Sequence, residues 1–167
     1  MRLDKRITEA LNAHVSVEAR SAFNYIAMAS WADIKGLNGF AAHFRKEAEG
    51  EMNHMHQFIR YLNDMDFQAT ISDIPAPRSD WSDLREVVEE VYNQENDLTN
   101  AINNLVSLAR DVQDHFTESF LVGFIPSQIE DTAVADDLRQ RVAMTNDGQG
   151  ILFIDQELSR NTNTTAG

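Results

Sequence analysis

The sequence has no cysteine among its 167 residues, which excludes disulfide bonds, thiolate metal sites and cysteine nucleophiles. Only three prolines and seven glycines are present, so few residues break helices and long helices are favoured. The N-terminal segment, MRLDKRITEAL, carries charges instead of the apolar stretch of a signal peptide, and no apolar run is long enough to span a membrane. We therefore expect a cytoplasmic protein without a targeting segment, since a chain free of cysteine suits a reducing compartment.

Positive charge is also scarce, because 14 basic residues face 27 acidic ones and the formal net charge is −13. This balance argues against nucleic acids and anionic membranes as partners. It fits a protein that attracts cations, and it fits equally a protein whose charge merely keeps it in solution. With 43% hydrophobic and 25% charged residues, the chain has the composition and length of one globular domain over residues 1–167.

Apolar residues that recur every three or four positions predict an all-α protein with four long helices and a short fifth one. The predicted ranges are about 4–35, 38–64, 83–110, 112–144 and 151–159. Pro126 lies inside the fourth range and should kink that helix, because its ring clashes with the preceding turn. The fifth segment is too short to be stable alone and needs a partner for its apolar face, for example another subunit. The polar tail, residues 160–167, is expected to be disordered.

The connections between the predicted helices differ in length. Very few residues separate the first helix from the second, which predicts antiparallel neighbours. Residues 65–82 contain Pro75 and Pro77 and break the helical period. A loop of this length is uncommon in a small helical protein, and it makes sense if it crosses the whole bundle. The third helix should therefore run parallel to the second.

The predicted apolar faces carry polar residues near the middle of each long helix. Glu51 and His54 are three residues apart, so they point to the same side of the second helix. The other three helices contribute Glu18, Glu95, and Gln128 with Glu130 or Asp131. A buried unpaired carboxylate costs several kcal/mol, on the order of the ion-desolvation penalty, so such acids must be protonated, ion-paired or bound to metal.

The argument rests on convergence, because a single acid on an apolar face is more often a snorkelling side chain. A lone histidine is likewise more often a core residue than a ligand. For that reason no role is assigned to His14, His43, His56 and His115.

Three carboxylates and one imidazole are enough to hold two divalent ions. Glu51 would bridge them, Glu18 and His54 would complete the first site, and Glu95 the second. Gln128 is neutral and can orient water or oxygen without adding charge. This donor set suits iron, manganese or zinc more than copper, and open positions on the second ion would allow oxygen chemistry at iron.

The pattern resembles the non-haem ferritins of the bacterial type over nearly the whole chain. The resemblance lies in Glu18 and Tyr25 (E-x6-Y), Glu51 and His54 (E-x-x-H), the single Glu95, Gln128, and the C-terminal segment FIDQEL. It implies a ferritin-like four-helix bundle with one long crossover between the second and third helices and a short fifth helix at the C-terminus.

The resemblance also implies a function. Fe(II) would be oxidised at a di-iron ferroxidase centre by O2 or H2O2 and stored as a ferric oxide mineral inside a 24-subunit homo-oligomeric cage. Glu18, Glu51, His54, Glu95 and Gln128 would carry over as the centre, with Tyr25 beside it as a one-electron donor. A reductant partner would release the iron.

The sequence departs from the family in places. Many bacterial relatives have a third iron site, but Gly50 and Ser127 stand at two of its acidic positions. Such a site would have to be built differently, from Glu130 and Asp131 with Glu47 as a substitute. Met52 lies near the place of a haem-ligating methionine, but a helical methionine usually serves packing, so no haem is expected.

Two alternatives remain open. A rubrerythrin-like peroxidase or another di-metal enzyme would normally have a second Glu-x-x-His in the last long helix, and this motif is missing. A non-catalytic cage subunit that only nucleates mineral should lack the ligands, which are present. Iron entry is a further open point, because Asp114 and Glu118 either line a three-fold channel or form a solvated helix face.

Overall fold

The computed structural model describes residues 4–164. Over that range the chain forms only α-helices, named in order α1 to α6: Lys5–Ile34, Asn38–Asp64, Leu84–Asp111, His115–Val122, Ile125–Met144 and Gly148–Thr164. Helix α1 packs mainly on α2, α3 packs on α5, and α6 packs on α2. This arrangement confirms the predicted ferritin-like bundle, with α4 and α5 together forming the fourth rod. None of the described helices is long and apolar enough to cross a membrane.

Aspartates begin three of the helices. The side chains of Asp4, Asp83 and Asp114 accept hydrogen bonds from backbone N–H groups in the first turns of α1, α3 and α4, and so satisfy donors that have no partner inside the helix. Between α1 and α2 the chain turns at Gly36, whose φ of +76° is readily adopted only by glycine. The sharp reversal there makes α1 and α2 antiparallel neighbours, as predicted.

The long connection between α2 and α3 follows the side of α1. Backbone N–H groups of Thr70 and Ser72 donate to Asn12 and Ser16 of α1, and Trp81 is buried near the start of α3. The connection therefore carries the chain back along the length of the bundle. Helices α2 and α3 then run in the same direction, as the length of the loop predicted.

The fourth predicted helix is divided in two, which corrects the prediction of a single kinked rod over 112–144. Helix α4 ends at Val122 and α5 begins at Ile125. Pro126 lies in the first turn of α5, where the N–H group that proline lacks would have had no helical partner anyway. The proline therefore starts a helix here instead of bending one.

Helix α6 is longer than predicted, because it continues to Thr164. The expectation of a disordered tail is therefore wrong for residues 160–164, and residues 165–167 lie outside the described part of the chain. The apolar side of α6 is covered only in part within the same chain, since Ile154 is buried in the core and Ile151 packs against it, whereas Leu152 and Phe153 are more than half exposed. Asp155 accepts a hydrogen bond from the backbone N–H of Phe40 at 3.0 Å, which fastens α6 to the first turn of α2.

Two apolar clusters fill the bundle, one toward each end. The first cluster lies near the α1–α2 turn and includes Tyr25, Phe44 and Val88. The second cluster lies at the opposite end and includes Leu11, Phe58 and other apolar side chains. Burial of each large apolar side chain contributes about 1.5–3 kcal/mol. The boundary between the clusters coincides with the middles of the four rods, where the predicted polar residues are found.

Candidate metal centre

Three of the predicted ligands meet in the layer between the clusters. Atoms of Glu18, Glu51 and His54 lie within 4.8 Å of one another, and this is the group with metal-binding geometry among the described residues. The Nδ1 atom of His54 lies 3.0 Å from Glu51 Oε2 and 3.8 Å from Glu18 Oε2. Glu18 is fully buried and Glu51 is 5% exposed. The predicted first site is thus assembled from α1 and α2.

Glu95 and Gln128 lie in the same polar layer but outside that group of three. Both side chains are 1% exposed. The hydroxyl of Tyr25 donates a hydrogen bond to Glu95 Oε1, so Tyr25 directly contacts the predicted ligand of the second ion. Gln128 Oε1 is 3.5 Å from the hydroxyl of Thr99. The pair Tyr25 and Glu95 therefore links α1 to α3 across the bundle.

Several buried polar atoms of this layer have no hydrogen-bond partner. They are Glu18 Oε2, Glu95 Oε2 and Gln128 Nε2. An unsatisfied buried polar group costs about 1–3 kcal/mol, and more when it is charged. Carboxylate oxygens and one imidazole nitrogen are suitable donors for ferrous iron and related divalent ions. The residues present therefore fit a divalent cation, which would supply the missing partner of the two carboxylates.

The acids of the layer hold their protons unusually tightly. Burial raises the pKa of Glu51 to about 7, and burial together with the charge of Glu51 raises the pKa of Glu95 to about 8. Burial likewise raises the pKa of Glu18. Desolvation alone would lower the pKa of His54, but its hydrogen bond to Glu51 and the charge of Glu18 outweigh that effect, so the pKa is raised. A bound cation would favour the ionised acids, so metal binding should release protons.

The acids predicted for a third site line an open cavity next to the centre. This cavity, of about 440 Å³, is lined by Glu47, Glu130 and Asp131 together with Glu51 and His54. Burial raises the pKa of Glu47 to about 7 and that of Asp131 to about 6, and nearby carboxylates add to both shifts. Glu130 is exposed. The three acids are therefore neighbours of the centre and lie outside its closest group.

The side of the centre next to Gly50 and Ser127 is open. A Cβ atom added at Gly50 would meet nothing within 4 Å, and the hydroxyl of Ser127 is turned back onto the carbonyl of Phe124 at 2.9 Å. Neither position supplies a ligand, so the centre faces a solvent-connected cavity on this side.

Sequence reasoning missed two residues of α1 that contact the centre. His14 Nε2 lies 2.8 Å from Glu18 Oε1, and the hydroxyl of Ser21 donates to Glu51 Oε1 at 3.1 Å. Burial lowers the pKa of His14 to about 4. The missed signal was the spacing, because His14, Glu18, Ser21 and Tyr25 follow one another at four, three and four residues and so share one face of the helix.

The two residues considered for iron entry have partners inside the chain. Asp114 accepts hydrogen bonds from the backbone N–H and the hydroxyl of Thr117. Glu118 accepts a hydrogen bond from Arg110 at 2.6 Å. Both carboxylates therefore stabilise the start of α4 through contacts within the chain. A role of Asp114 and Glu118 in an iron channel stays a prediction. Met52 packs against the second cluster, in keeping with a packing role.

Comparisons with known proteins agree with the resemblance. A family model described as "Ferritin-like domain" matches residues 8–144. A probable bacterial non-heme ferritin-like protein of Haemophilus influenzae is 31% identical over 157 residues, covering 93% of this chain and 95% of that protein. A bacterial non-heme ferritin of Escherichia coli O157:H7 is 31% identical over 158 residues, covering 94% and 96% of the two chains.

A solved ferritin structure is also similar to this chain. The open pore ferritin from the hyperthermophilic archaeon Archaeoglobus fulgidus superposes with a TM-score of 0.91 at 30% identity, over 94% of this chain and 98% of that one.

Proposed function

Since the chain belongs to the ferritin family, we propose that it is an iron-storage protein with ferroxidase activity. Fe(II) is the substrate, O2 or H2O2 is the oxidant, and the product is stored as a ferric oxide mineral. The observation that carries this proposal is the group formed by Glu18, Glu51 and His54. Within this group the buried Oε2 atom of Glu18 has no hydrogen-bond partner. Two Fe(II) ions lose one electron each, and O2 takes up both electrons and two protons to give H2O2. With H2O2 as the oxidant, the same electrons and protons give two molecules of water.

The first Fe(II) would be bound by Glu18, Glu51 and His54. The second would share Glu51 and bind Glu95, whose Oε2 atom lacks a partner. Iron binding at neutral pH would displace protons from Glu51 and Glu95, because both hold protons near neutrality. Those protons are available for the reduction of the oxidant.

Two neighbours would tune the centre without adding charge to it. Tyr25 donates to one oxygen of Glu95 and so leaves the other oxygen for iron; it is also placed to supply one electron. Gln128 presents an unpaired amide nitrogen to the layer, which can donate a hydrogen bond to water or to oxygen near the second ion.

Ferric product would leave through the cavity lined by Glu47, Glu130 and Asp131. These acids are neighbours of Glu51, and together they form a negatively charged passage for a cation. A third iron site, if it forms, would use the same three side chains. Mineral would collect inside a closed 24-subunit cage, and release of the iron would need an external reductant.

The competing functions have less support. Helix α5 contains no histidine, so a rubrerythrin-like peroxidase would lack its second Glu-x-x-His pair. A subunit that only nucleates mineral would not need a buried Glu–Glu–His group in which an oxygen of Glu18 has no partner.

Oxidation of Fe(II) by the metal-free protein tests the proposal. Oxygen uptake and the rise of ferric absorbance should follow the addition of Fe(II). Glu51→Ala should slow the reaction by about 100-fold or more, since loss of mere partners of metal ligands already costs about 10- to 100-fold. Glu49→Ala is the matched control, because Glu49 is an exposed acid on the same helix. Oxidation by Glu51→Ala at the rate of the parent would refute the assigned centre.

Sedimentation tests the cage. An assembly of about 24 copies of the 18.9-kDa chain has a mass of about 450 kDa. A stable monomer at micromolar concentration would contradict the storage function even if iron were oxidised.

A further inference from the structure

Each carboxylate of the centre has one oxygen that a neighbour on α1 holds. His14 contacts Glu18 Oε1, Ser21 donates to Glu51 Oε1, and Tyr25 donates to Glu95 Oε1. The second oxygens of Glu18 and Glu95 have no partner. For Glu18 and Glu95, one face of a single helix therefore determines which oxygen remains for a cation, whereas the second oxygen of Glu51 contacts His54.

His14 is the least expected of these neighbours. Its side chain is 3% exposed, and its ring packs on Phe58 with a centroid distance of 4.6 Å. A carboxylate that binds metal is ionised and can only accept hydrogen bonds, so His14 Nε2 must carry the proton and donate to Glu18. Packing on Phe58 and burial leave the imidazole little freedom to turn away.

We propose that His14 is a positioning residue, which holds Glu18 Oε1 so that Glu18 Oε2 faces the metal position beside His54. His14 is not one of the three residues whose atoms group within 4.8 Å, so it acts through Glu18. This inference rests on the proposed function in one respect, namely that Glu18 binds a divalent ion.

The geometry explains why such an anchor is needed. A glutamate side chain has several rotatable bonds, and ordering it has an entropic cost. Without His14, Oε1 would be a buried oxygen without a donor, and the carboxylate would be free to rotate toward His54. The hydrogen bond from His14 orders Glu18 before a metal ion binds, so less entropy is lost on binding. Hydrogen-bond partners of metal ligands raise the affinity of a site for its metal in this way.

Titration of the metal-free protein with Co(II) tests the inference without redox chemistry. Absorbance of bound Co(II) and calorimetry report the affinity of the first site. His14→Leu should weaken the first Co(II) by about 10- to 100-fold. His14→Gln should restore affinity to within about threefold, because its amide N–H can donate to the same oxygen four residues along the helix.

Two controls separate positioning from loss of packing. Phe58→Leu loosens the contact with the ring of His14 but leaves the donor to Glu18 in place, so it should weaken Co(II) binding much less than His14→Leu does. In a Glu18→Ala background, His14→Leu should cause no further loss, because residues that act through one another are not additive. Circular dichroism verifies that each variant is folded.

The inference is overturned if folded His14→Leu binds the first Co(II) like the parent, or if His14→Gln is as weak as His14→Leu. It is also overturned if His14→Leu weakens binding equally in the Glu18→Ala background. A parent protein that binds Co(II) in a His14-dependent way but does not oxidise Fe(II) would refute the ferroxidase proposal and support the positioning role. A parent that binds no Co(II) at all would refute both.

Discussion

Replacement of Glu95 by glutamine should stabilise the metal-free protein, and the gain should grow as the pH rises from about 4.5 to about 8. Burial, followed by the charge of Glu51, raises the pKa of Glu95 from 4.5 to about 8. The folded protein therefore holds a proton that the unfolded chain has already lost. Below pH 4.5 both states are protonated and Glu95 costs nothing. As the pH rises from 4.5 to 8, the folded state loses stability relative to the unfolded one.

The size of the effect follows from the shift. Each pKa unit corresponds to about 1.4 kcal/mol, so the rise of the pKa of Glu95 from 4.5 to about 8 amounts to about 5 kcal/mol in full, of which about 4 kcal/mol is expressed at pH 8. This is an upper value, because Glu51 titrates in the same range and the two acids interact. Glu95→Gln removes the titration and keeps an acceptor for the hydroxyl of Tyr25. The free energy of unfolding of the variant should thus exceed that of the parent by up to about 4 kcal/mol at pH 8 and by little at pH 5.

Thermal unfolding of EDTA-treated protein from pH 5 to pH 8.5, at one protein concentration, measures this difference. Glu49→Gln is the control, because the same charge is removed from an exposed position. Added Co(II) should reverse the pH dependence of the parent, since the cation binds the ionised acids. If the stability of the parent and of Glu95→Gln changed with pH in parallel, Glu95 would not be a buried acid with a raised pKa.

The remaining predictions concern the docking of α6 and the hydrogen bond of Tyr25. A Cβ atom at Gly39 would lie 1.8 Å from the carbonyl oxygen of Asp155, so Gly39→Ala should push α6 away from α2 and cost about 1–3 kcal/mol or more in thermal unfolding. Gly50→Ala is its counterpart, because Gly50 has open space around it, and it should stabilise α2 by up to about 1 kcal/mol. Tyr25→Phe removes the donor to Glu95 and should slow Fe(II) oxidation in stopped-flow absorbance by about 10- to 100-fold; an unchanged rate would exclude a role for the hydroxyl.

Local patterns in the sequence were sufficient for most of the helices and for the face that carries the acids. The period of the apolar residues placed Glu18, Glu51, Glu95 and Gln128 on inward faces, and all four are buried. The boundary at Pro126 was not predictable in this way, because a proline that kinks a helix and a proline that begins one have the same local sequence signal.

The contacts across the bundle needed the tertiary structure. Ser21 reads from the sequence like any small residue of a helix, and only the fold places its hydroxyl at 3.1 Å from Glu51 Oε1 on α2. The same holds for Asp155, whose partner Phe40 is 115 residues away.

The amino-acid sequence by itself determined that the chain is helical, which face of each helix is buried, and which acids lie on that face, because helical periodicity is a local property of the chain. Only the tertiary structure decided that Glu18, Glu51 and His54 form one group, while Glu95 lies outside it and accepts a hydrogen bond from Tyr25. The physical reason is that distances between helices depend on how far each rod slides and rotates against the next. Side-chain packing throughout the two apolar clusters sets that offset.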